Sequence, residues 1–130
     1  MSRRNQLGDL QLAIMRVLWS EGEASASAVH RALWDERGLA PTTIATMLRK
    51  MEHKGVVSHA LEGRKFVYRP ETTEAGVRRS MVEQLAQRLF GGDVAAFASY
   101  LISENEIDSA ELSELEKLVA QKSRREQETR

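Results

Sequence analysis

With 130 residues, 42% of them hydrophobic and 29% charged, the chain has room for one compact domain, or a small domain plus an extension, and none for two full enzyme domains. It contains no cysteine, which excludes a disulfide scaffold, thiolate metal sites and a thiol redox switch, and makes the cytoplasm the expected compartment. The formal net charge is zero but unevenly spread: residues 1–70 hold 11 Lys and Arg against 7 Asp and Glu (+4), and residues 71–130 hold 8 against 12 (−4).

Leu10, Ile14, Val17 and Leu18 recur at helical spacing with Ala13 on the same stripe, predicting a first helix over about residues 8–21 that stops at Gly22. Asp9, Gln11 and Arg16 interrupt the apolar run here, so it reads as an amphipathic helix rather than a leader. No stretch approaches the ~20 apolar residues of a bilayer span, and no membrane insertion is expected. Ser25 caps a second helix that presents Val29, Ala32 and Leu33 on one side and stops at Gly38. A third helix opens at Pro41, a residue suited to the first helical position because it lacks an N–H, and runs to about Lys54. Its apolar stripe is Ile44, Met47, Leu48 and Met51, while Thr42, Thr43, Ala45, Thr46, Arg49 and Lys50 fall largely on the other side, with no acid before Glu52.

After Gly55 the pattern turns extended. Val56 to Leu61 and Arg64 to Arg69 are β-rich runs around Gly63, which predicts a hairpin closed by Pro70. Helical period returns with Val77, Met81, Leu85 and Leu89, ending at Gly91 and Gly92. Asp93 caps a fifth helix bearing Val94, Phe97, Ala98 and Leu101. Asp108, with Glu111 three residues on, starts a sixth helix carrying Leu112, Leu115 and Val119, and the charged tail after about Gln121 is expected to fray.

The expected fold is therefore mainly α with a small β-hairpin. Residues 1–70 form a winged helix-turn-helix whose third helix enters the major groove, and residues 71–130 form a three-helix dimerisation arm. The last three helices carry too few large apolar residues to close a separate core. Leu85, Leu89, Phe97, Leu101, Leu112 and Leu115 are accordingly read as a dimer stripe, and a twofold homodimer sets two readers on adjacent half-sites.

The third helix offers Thr42, Thr43 and Thr46, whose hydroxyls meet phosphates or base edges and whose methyls, like that of Ala45, touch a thymine methyl. Threonines at a helix start also compensate for a weak cap such as Ala40. Arg49 and Lys50 suit phosphate contact, although such a pair is equally at home on a solvated face. Arg64 and Lys65 at the hairpin turn form a natural wing tip for backbone phosphates.

His30, His53 and His59 show no metal-ligand spacing and read as surface or capping residues. Trp19 and Trp34 read as core or interface anchors, and Met47 and Met51 as core. No phosphate loop, nucleophile–base pair or carboxylate dyad is visible, so neither catalysis nor a cofactor is expected.

The order and spacing of several short motifs resemble the penicillinase-repressor family, the BlaI/MecI/CopY type of bacterial regulators. They are Leu7-Gly8-Asp9-Leu10 with Val17-Leu18-Trp19, the Thr42–Leu48 segment, Lys54-Gly55-Val56-Val57, Tyr68-Arg69-Pro70, Leu89-Phe90-Gly91-Gly92-Asp93 and Asn105-Glu106-Ile107. The resemblance runs from Leu7 to about Leu118. It implies a dimeric repressor with an amino-terminal winged helix that binds double-stranded, dyad-symmetric operator DNA. Some members are inactivated when a membrane sensor protease signals cleavage in the fifth helix, and the matching positions here are Tyr100 and Leu101. The β-lactam-responsive members carry Asn-Phe there, from which this chain departs. Copper-responsive members have a cysteine-rich tail that this chain lacks. Thr42 and Ala45 stand where staphylococcal-type members have charged residues, so the operator need not be theirs.

Two other readings compete with a DNA-binding repressor. A winged-helix protein-interaction module would show acids over the third helix's open face. A ligand-responsive regulator of the multidrug-resistance type would show a sizeable pocket, for which the short arm leaves little room.

Overall fold

The computed structural model describes residues 6–129. They form two compact units, one ending at Leu85 and the other starting at Ala86.

In the first unit, α1 (Asp9–Glu21) buries Ala13, Ile14, Met15 and Leu18, and α2 (Ala26–Arg37) buries Val29 and Leu33. Ala32 is exposed instead of sharing that stripe. The Ser25 hydroxyl accepts from the Ala28 N–H at 3.1 Å and caps α2. Helix α3 (Pro41–Lys54) starts without a side-chain cap, as Ala40 requires; the Ala40 carbonyl accepts from the N–H groups of Thr43 (3.1 Å) and Ile44 (3.3 Å). Ile44, Leu48 and Met51 are buried, and Met47 is half-buried against the same core.

The predicted hairpin is β2 (Val57–Glu62) and β3 (Lys65–Pro70), and a third strand, β1 (Ala24–Ser25), completes an antiparallel sheet in the order β1-β3-β2. Two residues are too few to show strand periodicity, and Ser25 is read in the sequence for its capping role. Ala24 pairs with Tyr68 and Ser25 with Val67. Glu62 pairs with Lys65, which leaves Gly63 and Arg64 as a two-residue turn. Gly63 has φ 63°, the positive dihedral that turns matched to strand twist demand and that a side chain would strain.

The core of this unit draws on α4 (Glu74–Phe90) as well. Val77 is 2% exposed within it and Met81 packs at its edge. The Trp19 indole Nε1 donates to the Thr72 carbonyl at 2.8 Å, anchoring the approach to α4. Of the two tryptophans, Trp19 is thus the half-buried anchor. Trp34 is 53% exposed, with the His30 ring tilted beside it at 5.4 Å.

In the second unit, the Asp93 carboxylate accepts from the Ala96 N–H at 3.0 Å at the start of α5 (Val94–Glu104). Asp108 accepts from the Glu111 N–H at 2.8 Å at the start of α6 (Ser109–Glu128). Phe90 stacks on Phe97 at 5.3 Å and leans on Tyr100 at 5.8 Å. Helix α6 continues past Gln121 to Glu128 where fraying was expected, because its Gln, Lys, Arg and Glu residues are all good helix formers. Among the described residues the second unit buries one residue, Ala86. No helix of the described residues is long and apolar enough to cross a membrane.

Candidate nucleic-acid interface

Helix α3 divides into two faces at the spacing the sequence predicts. Ile44, Leu48 and Met51 close the core, so the opposite side must point outward, and there Thr42, Thr43, Thr46, Arg49 and Lys50 are exposed. The Arg49 guanidinium donates to the Thr46 hydroxyl at 3.4 Å. Thr46, Arg49, Lys50, His53 and Lys54 line a shallow concavity of about 530 Å³ that carries no acid.

A second groove, of about 510 Å³, runs between α3, the start of α2 and the hairpin. Ala45 and Arg49 contribute from α3, and Arg64, Lys65 and Phe66 from the hairpin tip. Ser25 of β1, the cap of α2, and Ser27 of α2 contribute as well. Ala45 is half-buried, whereas the hairpin from Leu61 to Phe66 is exposed. Such a concave, cation-rimmed surface beside a protruding hairpin suits a polyanionic rod.

Glu52 is the one acid lining this groove, and it is held. His59 Nδ1 lies 2.6 and 2.7 Å from the two Glu52 carboxylate oxygens. A carboxylate only accepts, so Nδ1 carries the hydrogen. The Phe66 ring meets the imidazole edge-on at 4.8 Å, and Tyr68 lies at 5.6 Å. Burial first, and the Glu52 charge second, raise the Tyr68 phenol above its ordinary pKa, with Arg49 opposing them. Tyr68 therefore remains a neutral wall of the groove.

Six of the eight predicted contact residues line these surfaces. Ala45, Arg49, Arg64 and Lys65 share the groove, and Thr46, Arg49 and Lys50 share the adjoining concavity. Thr42 and Thr43 lie exposed on the first turn of α3 and line neither. Sequence reasoning missed Ser25, Ser27, Glu52 and His59 as lining residues. Their meeting depends on packing α2 and the hairpin beside α3, for which the chain carries no local signal. His30 serves as a local brace, its Nε2 donating to the Leu39 carbonyl at 2.9 Å. Of the other predicted positions, Leu85, Leu89, Leu101 and Leu112 are exposed, and Phe97 and Leu115 half-buried. Tyr100 and Leu101 stand exposed within α5.

A family model described as Penicillinase repressor matches residues 7–121. A penicillinase repressor of Bacillus licheniformis is 26% identical over 128 residues, covering 98% of this chain and 100% of its own. The transcriptional regulator BlaI of Mycobacterium tuberculosis is 33% identical over 123 residues, covering 89% of both chains. The solution structure of monomeric Bacillus licheniformis BlaI in complex with the blaP half-operator superposes with a TM-score of 0.51 at 34% identity, over 58% of this chain and 93% of that one.

Proposed function

The chain belongs to the penicillinase-repressor family, and from that premise we propose that it is a cytoplasmic, sequence-specific DNA-binding repressor of transcription that acts as a homodimer on a dyad-symmetric operator. The observation that carries the reading is the outer face of α3 from Thr42 to Lys50, which carries no acid and is flanked by the cationic hairpin tip. In this reading α3 lies in the major groove, with Thr43, Ala45 and Thr46 against base edges, while Arg49, Lys50, Arg64 and Lys65 meet phosphates. The half-operator complex of the Bacillus licheniformis relative supports it.

Residues 1–70 supply the reader and residues 71–130 the arm. A second copy is the natural cover for the arm, because α5 and α6 bury no residue and Leu89 and Leu101 stand 64% and 47% exposed. A sensor-protease signal that cut between Tyr100 and Leu101 would sever Leu101, Leu112 and Leu115 from the reader and so release the operator. The cleft lined by Leu12, Trp19, Val77 and Met81 holds about 220 Å³, below the ~300 Å³ at which ligand pockets begin, and the larger concavities beside α3 are rimmed by cations rather than lined for an apolar ligand.

Genome-wide recovery of bound DNA from cells expressing the intact chain tests the proposal. The expected result is one enriched dyad, and a sensor-protease gene beside it would support the signalling step. Absence of any enriched sequence would favour a protein-interaction module. Within this reading, Arg64→Ala and Lys65→Ala should each weaken binding to all sequences alike and lower the slope of log affinity against log salt by about one. Titrations at several salt concentrations check this, and an unchanged slope in both variants places the hairpin off the DNA.

A further inference from the structure

The groove beside α3 holds a contradiction for a DNA-binding surface. Arg49, Arg64 and Lys65 rim it, yet Glu52 lines it too, and a free carboxylate there repels phosphate. The structure places one side chain on that carboxylate. His59 Nδ1 reaches both oxygens, at 2.6 and 2.7 Å, and its ring is oriented by the edge-on contact with Phe66.

We propose that His59 is a positioning residue for DNA binding: it masks the Glu52 carboxylate from the phosphate backbone, and takes up a proton as DNA enters so that the pair presents no net charge. The inference rests on the DNA-binding reading above and names a device within it. When His59 is neutral, the pair carries one negative charge that the hydrogen bond only partly screens. When both ring nitrogens are protonated, the imidazolium cancels it, and the groove keeps the full charge of its cations. Phosphates favour the protonated form, so by linkage affinity rises as pH falls.

The groups facing the pair are few. Helix α3 supplies Arg49, β3 supplies Tyr68, and the hairpin tip supplies Arg64 and Lys65, while Ser25 of β1 and Ser27 of α2 offer hydroxyls. Ser58, Glu62 and Arg69 do not line the groove: the Ser58 hydroxyl donates to Glu71, and Arg69 is engaged with Glu23 at 2.7 Å and with Glu62 at 3.9 Å. His53 lines the adjoining concavity, so the comparison must be made between variants that all retain it.

The test measures operator affinity for the intact chain, His59→Ala, Glu52→Gln and the double variant, at about pH 6 and about pH 8. The native chain should bind several-fold tighter at the lower pH. His59→Ala should bind about fivefold more weakly there and lose most of the pH dependence, because the carboxylate is left unmasked. Glu52→Gln alone should tighten binding about threefold at the higher pH, and added to His59→Ala it should restore native affinity. A double variant as weak as His59→Ala means the imidazole merely packs against Phe66, and overturns the proposal. So does a His59→Ala variant with native affinity and native pH dependence. Failure of the native chain to bind any DNA sinks the repressor reading and this inference together, whereas binding that is equal in all four proteins sinks this inference alone.

Discussion

Ending the chain after Leu85 is expected to lower affinity for a full dyad operator by about 10²- to 10⁴-fold while leaving affinity for a single half-site unchanged. The first compact unit ends there, so the cut removes no residue of the core that supports α3. It does remove α5 and α6 with Leu101, Leu112 and Leu115, the exposed and half-buried apolar side chains assigned to the second copy. Without them the two readers bind independently, and the second half-site contact loses the effective concentration that linkage provides.

A cut after Pro70 should behave differently. Val77 and the Thr72 carbonyl that receives the Trp19 indole would be lost, and burial of Val77 alone contributes about 1.5–3 kcal/mol. Titration of both truncations on full and half operators, with sedimentation at micromolar concentration, separates the two effects. A strict monomer for the intact chain would remove the dimer reading.

Helix α4 shows what periodicity can and cannot disclose. Val77, Met81, Leu85 and Leu89 form one stripe in the sequence, yet Val77 is 2% exposed and Leu89 64% exposed. Spacing marks the face of a helix that avoids water without naming what covers each turn. The third helix was legible because Pro41 starts it, Gly55 ends it and its stripe faces a single core. The hairpin was legible through its β-branched and aromatic residues and its glycine turn. Strand β1 was not, since two residues carry no period and pairing to Tyr68 is a long-range event. The same limit hid the contact between Glu52 and His59. They stand seven positions apart in sequence, but the turn at Gly55 and the register of β2 decide whether they meet.

The two faces of α3 should respond to substitution in opposite ways. Leu48 is fully buried, and Leu48→Ala removes that packing from the centre of the core, at a cost of about 2–5 kcal/mol in stability. For a domain whose total stability is about 5–15 kcal/mol, that is enough to lower the denaturation midpoint sharply and to weaken DNA binding at every sequence together. Thr46→Val, on the exposed side, keeps shape, β-branching and methyl, and removes only the hydroxyl that accepts from Arg49 at 3.4 Å. Its stability should stay within about 0.5 kcal/mol of the native chain. If that hydroxyl meets a base edge, the loss should instead appear at one operator position, at about 1–3 kcal/mol. Denaturant titration checks the first half of the expectation. Binding-site selection on the native chain, Thr43→Ala, Ala45→Arg and Thr46→Val checks the second. Should all three variants keep the native preference at every base pair, α3 does not read sequence, and the protein-interaction reading gains the upper hand.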